Sequence, residues 1–395
     1  MDPLQAGDPG QIGPFLARFA GEAANASRPG GKHAMPATEA PRRRRRPATV
    51  VVAILTAAVG LTACSGSPSG HHSPHSPSPN AQRPSSGSGQ VPGSKPPAAG
   101  QPTATFIHPA DTIPNLVAFG PGGTLATTDD NSGRTYLWNT STGQVTATLT
   151  DPTGATVNSA AFGPGGTLAV GDVSGKTYVW NIRTGRVTAT LADPTGAIVN
   201  SAAFGPDGTL AIGDYKGKTY LWNISTGRIT AALTDPDSRG ILSAAFGTDG
   251  TLATGDDSGR TYLWKTGTGR VTATLTDPDS GGVVSVAFGP GGTLATADFK
   301  RGRTFLWNIK TGRVTATLAD PTGAIVNSAA FGPGGTLAVG DVSGRTYLWD
   351  ISTGRITATL TDPNSKGVLS VAFGPGGALA TGDYNGNTYL WNVPA

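Results

Sequence analysis

Between residues 102 and 395 the side chains able to do chemistry are few in kind. The stretch holds 21 Asp, no Glu, no Cys and a single His, His108. Hydroxyls abound, but a Ser–His–Asp or Cys–His nucleophile needs its own imidazole, and a structural metal site needs several His or Cys ligands. The expectation is therefore no enzyme, no metal and no cofactor. The glycine-rich string GPGGT, as at Gly163 to Thr167, invites comparison with phosphate-binding loops. Those loops need a Lys and a following helix, whereas these strings lead into strand-like runs and read as hairpin turns.

The carboxylates themselves are periodic. One lies ten residues after each of seven phenylalanines, at Asp129, Asp172, Asp214, Asp256, Asp298, Asp341 and Asp383. A basic residue follows in six cases: Arg134, Lys176, Lys218, Arg260, Arg303 and Arg345. A ring of charge is one reading. The preferred one is an exposed cross-turn ion pair fixing a hairpin, because the pattern recurs in every unit; such pairs contribute about 0–1 kcal/mol each.

The elements that carry these carboxylates follow from the same period. Trp138, Trp180, Trp222, Trp264, Trp307, Trp349 and Trp391 are all the tryptophans of the chain, spaced 42 or 43 residues apart. A fixed period of this length means an array of supersecondary units. Glycine-containing turns divide each unit into four short runs rich in Val, Thr, Tyr and Trp, which predicts four antiparallel strands, a to d. Strand a is made of small residues, as in Asn158-Ser159-Ala160-Ala161, which suits the crowded inner edge of sheets radiating about an axis. The predicted fold class is all-β, a seven-bladed β-propeller of four-stranded antiparallel blades. The last unit lacks a strand d, while Thr103 to Ile107 repeats the strand d sequence with no unit before it. The N-terminal segment is thus expected to complete the last blade.

The consensus VxSxAFGPGGTLAxGDxSGxTYLWN…TG resembles the WD40 repeat family over all seven units. The resemblance implies a rigid platform that binds other proteins, of a kind common outside the cytoplasm in high-GC bacteria. Departures are plain. Only Trp349-Asp350 gives the eponymous dipeptide, and Asp-Pro stands where the family has Gly-His. With one histidine, the family's buried His–Asp–Ser/Thr–Trp network cannot form in its usual way, so packing and turn chemistry are expected to take over.

The first hundred residues differ in composition. The chain's net charge of +4 arises here: residues 1–101 carry +6, residues 102–395 carry −2. A neutral to acidic repeat region gives no footprint for nucleic acid. Arg42 to Arg46 precede the apolar run ATVVVAILTAAVGLTAC, the layout of a secretory signal. Its ending, Leu61-Thr62-Ala63-Cys64, resembles the lipobox of bacterial lipoproteins, in which Cys64 would carry the lipid. An uncleaved helix is the alternative, since the 17 uncharged residues from Ala48 to Cys64 are at the lower limit for a span. Either arrangement places the chain beyond Cys64 outside the cytoplasm, anchored to the cell membrane. The expected organisation is 1–34 as an extension ahead of a true start at Met35, 35–63 as signal or anchor, 64–101 as a Ser/Pro/Gly tether, and 102–395 as the propeller, expected to be monomeric.

Against a nearly self-identical array, local differences stand out. The fifth unit has Phe299-Lys300-Arg301 between strands b and c, the third has Tyr215-Lys216, and the seventh has Tyr384. Arg239 and Lys366 distinguish two d–a loops. In a four-stranded meander these loops emerge together, and exposed aromatic and Arg residues are typical interface anchors. They form the candidate face for a protein partner whose identity the residues do not name. The reading is a non-catalytic interaction scaffold tethered to the membrane. The alternatives are a carbohydrate- or small-ligand-binding propeller, or an envelope-assembly lipoprotein resembling quinone-type propellers.

Overall fold

Alternation of β-branched and aromatic residues between glycine turns gives the chain little choice but short antiparallel strands. The computed structural model describes residues 100–109, 112–129, 132–237, 240–278, 281–363 and 366–393. Among these residues 28 strands form seven four-stranded antiparallel sheets. Blade 1 comprises Pro114–Phe119, Thr124–Asp129, Arg134–Asn139 and Gln144–Thr150, and blades 2 to 6 repeat it. The expected signal, anchor and most of the tether (1–34, 35–63 and 64–99) lie outside the described residues.

Blade 7 is closed as its sequence requires. Its strands Val368–Phe373, Ala378–Asp383 and Asn387–Asn392 are completed by Ala104–Ile107, which pairs antiparallel with the third of them, Ala104 opposite Leu390 and Ile107 opposite Asn387. The reason this segment fits is a bulge. In every other blade one Thr of strand d is skipped by the pairing, and its hydroxyl donates to a strand c carbonyl: Thr188 to Val179 at 3.0 Å, Thr357 to Leu348 at 3.1 Å. Thr103 makes the same contact, its hydroxyl 3.0 Å from the Leu390 carbonyl. The closing strand therefore carries the repeat's own fastening.

Strands a touch one another in turn around the axis, and the last touches the first. Two contacts fasten neighbouring blades there. The first sets the Phe at the end of each strand a over the glycine that ends strand a of the preceding blade. A Cβ on Gly120 would meet the Phe162 ring at 2.5 Å, one on Gly289 the Phe331 ring at 2.5 Å, and one on Gly374 the Phe119 ring at 2.5 Å. The second uses polar side chains of strand a. Asn115, Asn200 and Asn327 donate through Nδ2 to the Val157, Ile241 and Val368 carbonyls of the next blade, at 2.7, 2.9 and 2.8 Å. All seven tryptophans are buried between blades.

Blade order defines two faces. The b–c and d–a loops share the upper one: Val173 N–H donates to the Thr156 carbonyl, and Asp193 N–H to the Gly175 carbonyl. The a–b and c–d turns share the lower one. Since the closing strand runs as a strand d, the chain before Ala104 joins the ring at its lower face.

Phe106 is the buried anchor of the closing strand, 1% exposed, with its ring 5.4 Å from that of Trp138 in blade 1. Phe106→Ala is expected to destabilise the propeller by about 3–5 kcal/mol, read as a lowered melting temperature in calorimetry. Wild-type melting would refute the closing role.

Candidate functional site

The periodic carboxylates are not exposed ion pairs. Asp172, Asp214, Asp256, Asp298, Asp341 and Asp383 are fully buried at the upper end of strand b. In most blades one carboxylate oxygen accepts the backbone N–H that opens strand c: Lys176 N and Lys218 N at 2.8 Å, Arg260 N at 2.7 Å, Arg345 N at 2.9 Å. The basic residue matters through its amide, so the expected cross-turn salt bridge is replaced by a backbone cap. Among the described residues the pair that does form joins Arg260 to Asp237 of the d–a loop at 3.1 Å.

A second carboxylate, from the Asp-Pro of the d–a loop, is buried beside the first in blades 2 to 7. It is held in two ways, although Oδ2 of Asp151, Asp193, Asp320 and Asp362 has no hydrogen-bond partner among the described residues. Where the loop reads Asp-Pro-Thr-Gly, entering blades 2, 3 and 6, the Asp turns onto its own loop. Asp151 Oδ1 accepts from the Thr153 amide at 2.8 Å and hydroxyl at 2.6 Å, and Asp193 and Asp320 do likewise. In those blades strand b offers Val170, Ile212 and Val339. Blades 4, 5 and 7 are entered by Asp-Pro-Asp-Ser or Asp-Pro-Asn-Ser and carry Thr254, Thr296 and Thr381 at that position. There Thr296 donates to Asp277 at 2.8 Å and accepts from Trp307 Nε1 at 3.0 Å. Thr381 links Asp362 and Trp391 in the same way, at 2.9 and 3.1 Å. An Asp–Thr–Trp chain thus survives where the histidine-dependent network was not expected.

Burial raises the pKa of Asp172, Asp214, Asp277, Asp341, Asp362 and Asp383. It pushes Asp277 up to about 8 and Asp362 up to about 7, and the neighbouring Asp298 and Asp383 charges add to it. Asp214 is raised to about 6 by burial and by the Asp193 charge. Paired carboxyls holding a proton are the material of acid–base chemistry, but these sit in the interior and recur from blade to blade. They stabilise corners.

The candidate face is partly assembled. Tyr215 (41% exposed), Lys216, Lys300, Arg301 and Lys366 are exposed on the upper face, and Lys216 Nζ reaches the Thr195 carbonyl at 3.3 Å. Tyr384 is half-buried against Gly367. Arg239 lies outside the described residues, as does Cys64. Phe299 requires correction: it is 9% exposed and cannot serve as an exposed anchor. It joins the core with Leu242 and Val284, which stand where blades 1, 2, 3 and 6 have Asn. Loss of those amides makes the upper end of strand a apolar in blades 4 and 5, and the ring folds onto it.

The lower face holds a feature that reading the chain by loops overlooked. At its c–d turns, Asn or Asp after Trp caps the turn: Asn181 Oδ1 accepts Arg183 N and Thr184 N, and Asp350 Oδ1 accepts Ser352 N and Thr353 N. Blade 4 has Lys265 there, which cannot accept. Beside it Asp207 and Asp249 replace the turn glycine of other blades, each accepting from the Thr two residues on. These three residues, with Thr251, Trp264 and Thr272, line a groove of about 600 Å³ between blades 3 and 4. Comparing c–d turns across units is the signal that would have found it.

Residues 354–392 match the family described as WD domain, G-beta repeat. No curated protein matches the sequence. Among solved structures, a chain of the Crystal Structure of Mitotic Checkpoint Complex is similar with a TM-score of 0.68 and 20% identity, over 80% of this chain and 99% of that one. At that identity the likeness shows the fold.

The raised carboxyls fix the sign of a pH effect. A carboxyl with a raised folded pKa stays protonated in the folded state where the unfolded chain has released its proton. Its stabilisation is full below the unfolded value and is lost as pH rises through the folded one. Melting temperature is therefore expected to fall from pH 6.5 to 8.5, a window well above the pKa of His108, which burial lowers to about 4. Asp277→Asn with Asp362→Asn should flatten that fall. Equal melting of the wild-type chain at both pH values would show these carboxyls to be ionised.

Proposed function

From a seven-bladed ring whose last blade matches the WD repeat family, we propose a non-catalytic protein-interaction scaffold held at the outer side of the cytoplasmic membrane. WD40 propellers typically serve as interaction scaffolds. The observation that carries the reading here is where the exposed departures from the repeat lie. Tyr215, Lys216, Lys300 and Arg301 occupy the same loop in blades 3 and 5 and project from one rigid face. An exposed tyrosine ringed by flexible cations suits a partner with an acidic or mixed surface. Blade 4 between them adds the Arg260–Asp237 pair, so the charge is mixed on this side too.

Rigidity is what such a platform contributes. Every loop in question springs from strands whose ends are capped by buried Asp, so a partner meets a surface that needs little ordering. The membrane part of the proposal rests on sequence: a basic run, an apolar run and Cys64 in lipobox-like context. Among the described residues no helix is long and apolar enough to cross a membrane.

Two measurements test the two halves separately. Replacing Tyr215, Lys216, Lys300 and Arg301 together with Ala should abolish capture of the protein partner in crosslinking from intact cells, while melting is unchanged. The same partners at the same yield would remove this face from consideration. Cys64→Ala should release the chain from the membrane fraction; undiminished association would point instead to an uncleaved helix.

A further inference from the structure

The lower face is strongly cationic, although the propeller as a whole is slightly acidic. Each strand d begins there, and in blades 2 to 6 its first residue is an arginine: Arg186, Arg228, Arg270, Arg313 and Arg355. All five are exposed. Arg183, Lys265 and Lys310 add three more cations from the adjoining turns. Against them stand three carboxylates, Asp207, Asp249 and Asp350, so the face carries a net charge of +5. Among the described residues the other charged side chains belong to the upper loops and the strand ends that meet them, and their formal charges sum to −5. The ring is an electrical dipole along its axis.

Stability does not explain this arrangement. Among the described residues none of the five arginines forms an ion pair. In blade 4, Lys265 lies directly opposite Arg270 in the strand register, and like charges so placed are destabilising. The same lysine forgoes the turn cap that Asn or Asp supplies in blades 1, 2, 3, 5 and 6. A local rule is broken in favour of charge, which is the mark of a surface selected for binding.

The occupant is indicated by the direction of the chain. The closing strand starts at Ala104, opposite Leu390 near the lower end of its blade, so everything N-terminal to it joins on the cationic side. That portion includes Arg42 to Arg46 and the apolar run ending at Cys64. We propose that the lower face rests on the anionic headgroups of a phospholipid bilayer, leaving the upper face turned away for its partner. The inference builds on the membrane half of the proposed function. Each basic residue within a Debye length of such a surface strengthens adsorption severalfold, and about 8 Å is that length at physiological salt.

The test uses the full chain bearing Cys64→Ala and sedimentation with vesicles of phosphatidylcholine, with and without phosphatidylglycerol. Changing Arg186, Arg228, Arg270, Arg313 and Arg355 to Gln should lower the phosphatidylglycerol-dependent part of binding by about tenfold or more. Equal neutralisation above, at Arg134, Lys216, Lys300, Arg301 and Lys366, should leave it intact, and concentrated salt should erase it in the parent. Two results overturn the proposal. One is equal binding by both variants; the other is a lower face that prefers duplex DNA or polyphosphate to the anionic vesicles. Fractionation of cells carrying Cys64→Ala is done in concentrated salt, which erases adsorption through the face and leaves the anchor as the readout, so failure of the anchor and failure of the face are distinguishable.

Discussion

A phenyl ring lying on a glycine, repeated around the axis, is the contact on which this propeller depends. In five of the seven contacts the spacing leaves no room for a Cβ: at Gly120, Gly163, Gly289, Gly332 and Gly374 it would lie 2.5–2.6 Å from the phenyl carbons, against 3.1 Å at Gly205 and 3.2 Å at Gly247. Such close approach brings the strands a near enough for Asn and Ser to reach across, as Ser285 does to the Ala329 carbonyl at 3.3 Å. Because the last contact is Phe119 on Gly374, the seam has no beginning. Interiors packed this closely transmit a local misfit rather than absorb it. Rigid loops on both faces are the outcome.

Around that seam blades 2 to 7 each bury two carboxylates at the upper corner, where blade 1 has Asp129 and His108. The arrangement is costly because some of their oxygens, Asp320 Oδ2 and Asp362 Oδ2 among them, have no hydrogen-bond partner among the described residues. Two solutions coexist. One turns the loop Asp onto its own Thr; the other reaches Thr of strand b and, through it, Trp. The choice is made at three separated places at once. Blades 2, 3 and 6 combine Asp-Pro-Thr-Gly, an Asn in strand a and Val or Ile in strand b. Blades 4, 5 and 7 combine Asp-Pro-Asp/Asn-Ser, Leu or Val, and Thr. Much of what distinguishes the d–a loops is therefore interior chemistry seen at the surface.

The period of tryptophan and phenylalanine made the blades legible in the sequence, and Thr103 to Ile107 could be recognised as a displaced strand d because it repeats Thr357 to Leu360 so closely. The site was less legible. Phe299 looked exposed because its loop is charged, yet its ring follows Leu242 and Val284, which come from other strands and become neighbours only when the blades meet. The Asp before strand c looked like half of an ion pair because side chains are visible in a sequence and amides are not. The sum of −2 hid the polarity of the ring, since charge sorted by face requires knowing which end of each strand lies where.

The closing strand also sets a clock. Thr103 pairs with Leu390 across 287 residues, so the first strand to be synthesised is the last to find its partner. Blades 1 to 6 are each built from contiguous chain and can form as they emerge, but the seventh waits with one edge bare until the final strand is made. Closure of a loop this long is entropically slow. The segment that fastens the ring remains unpaired until the far end of the chain has been made, and the propeller locks only when its last residues meet its first.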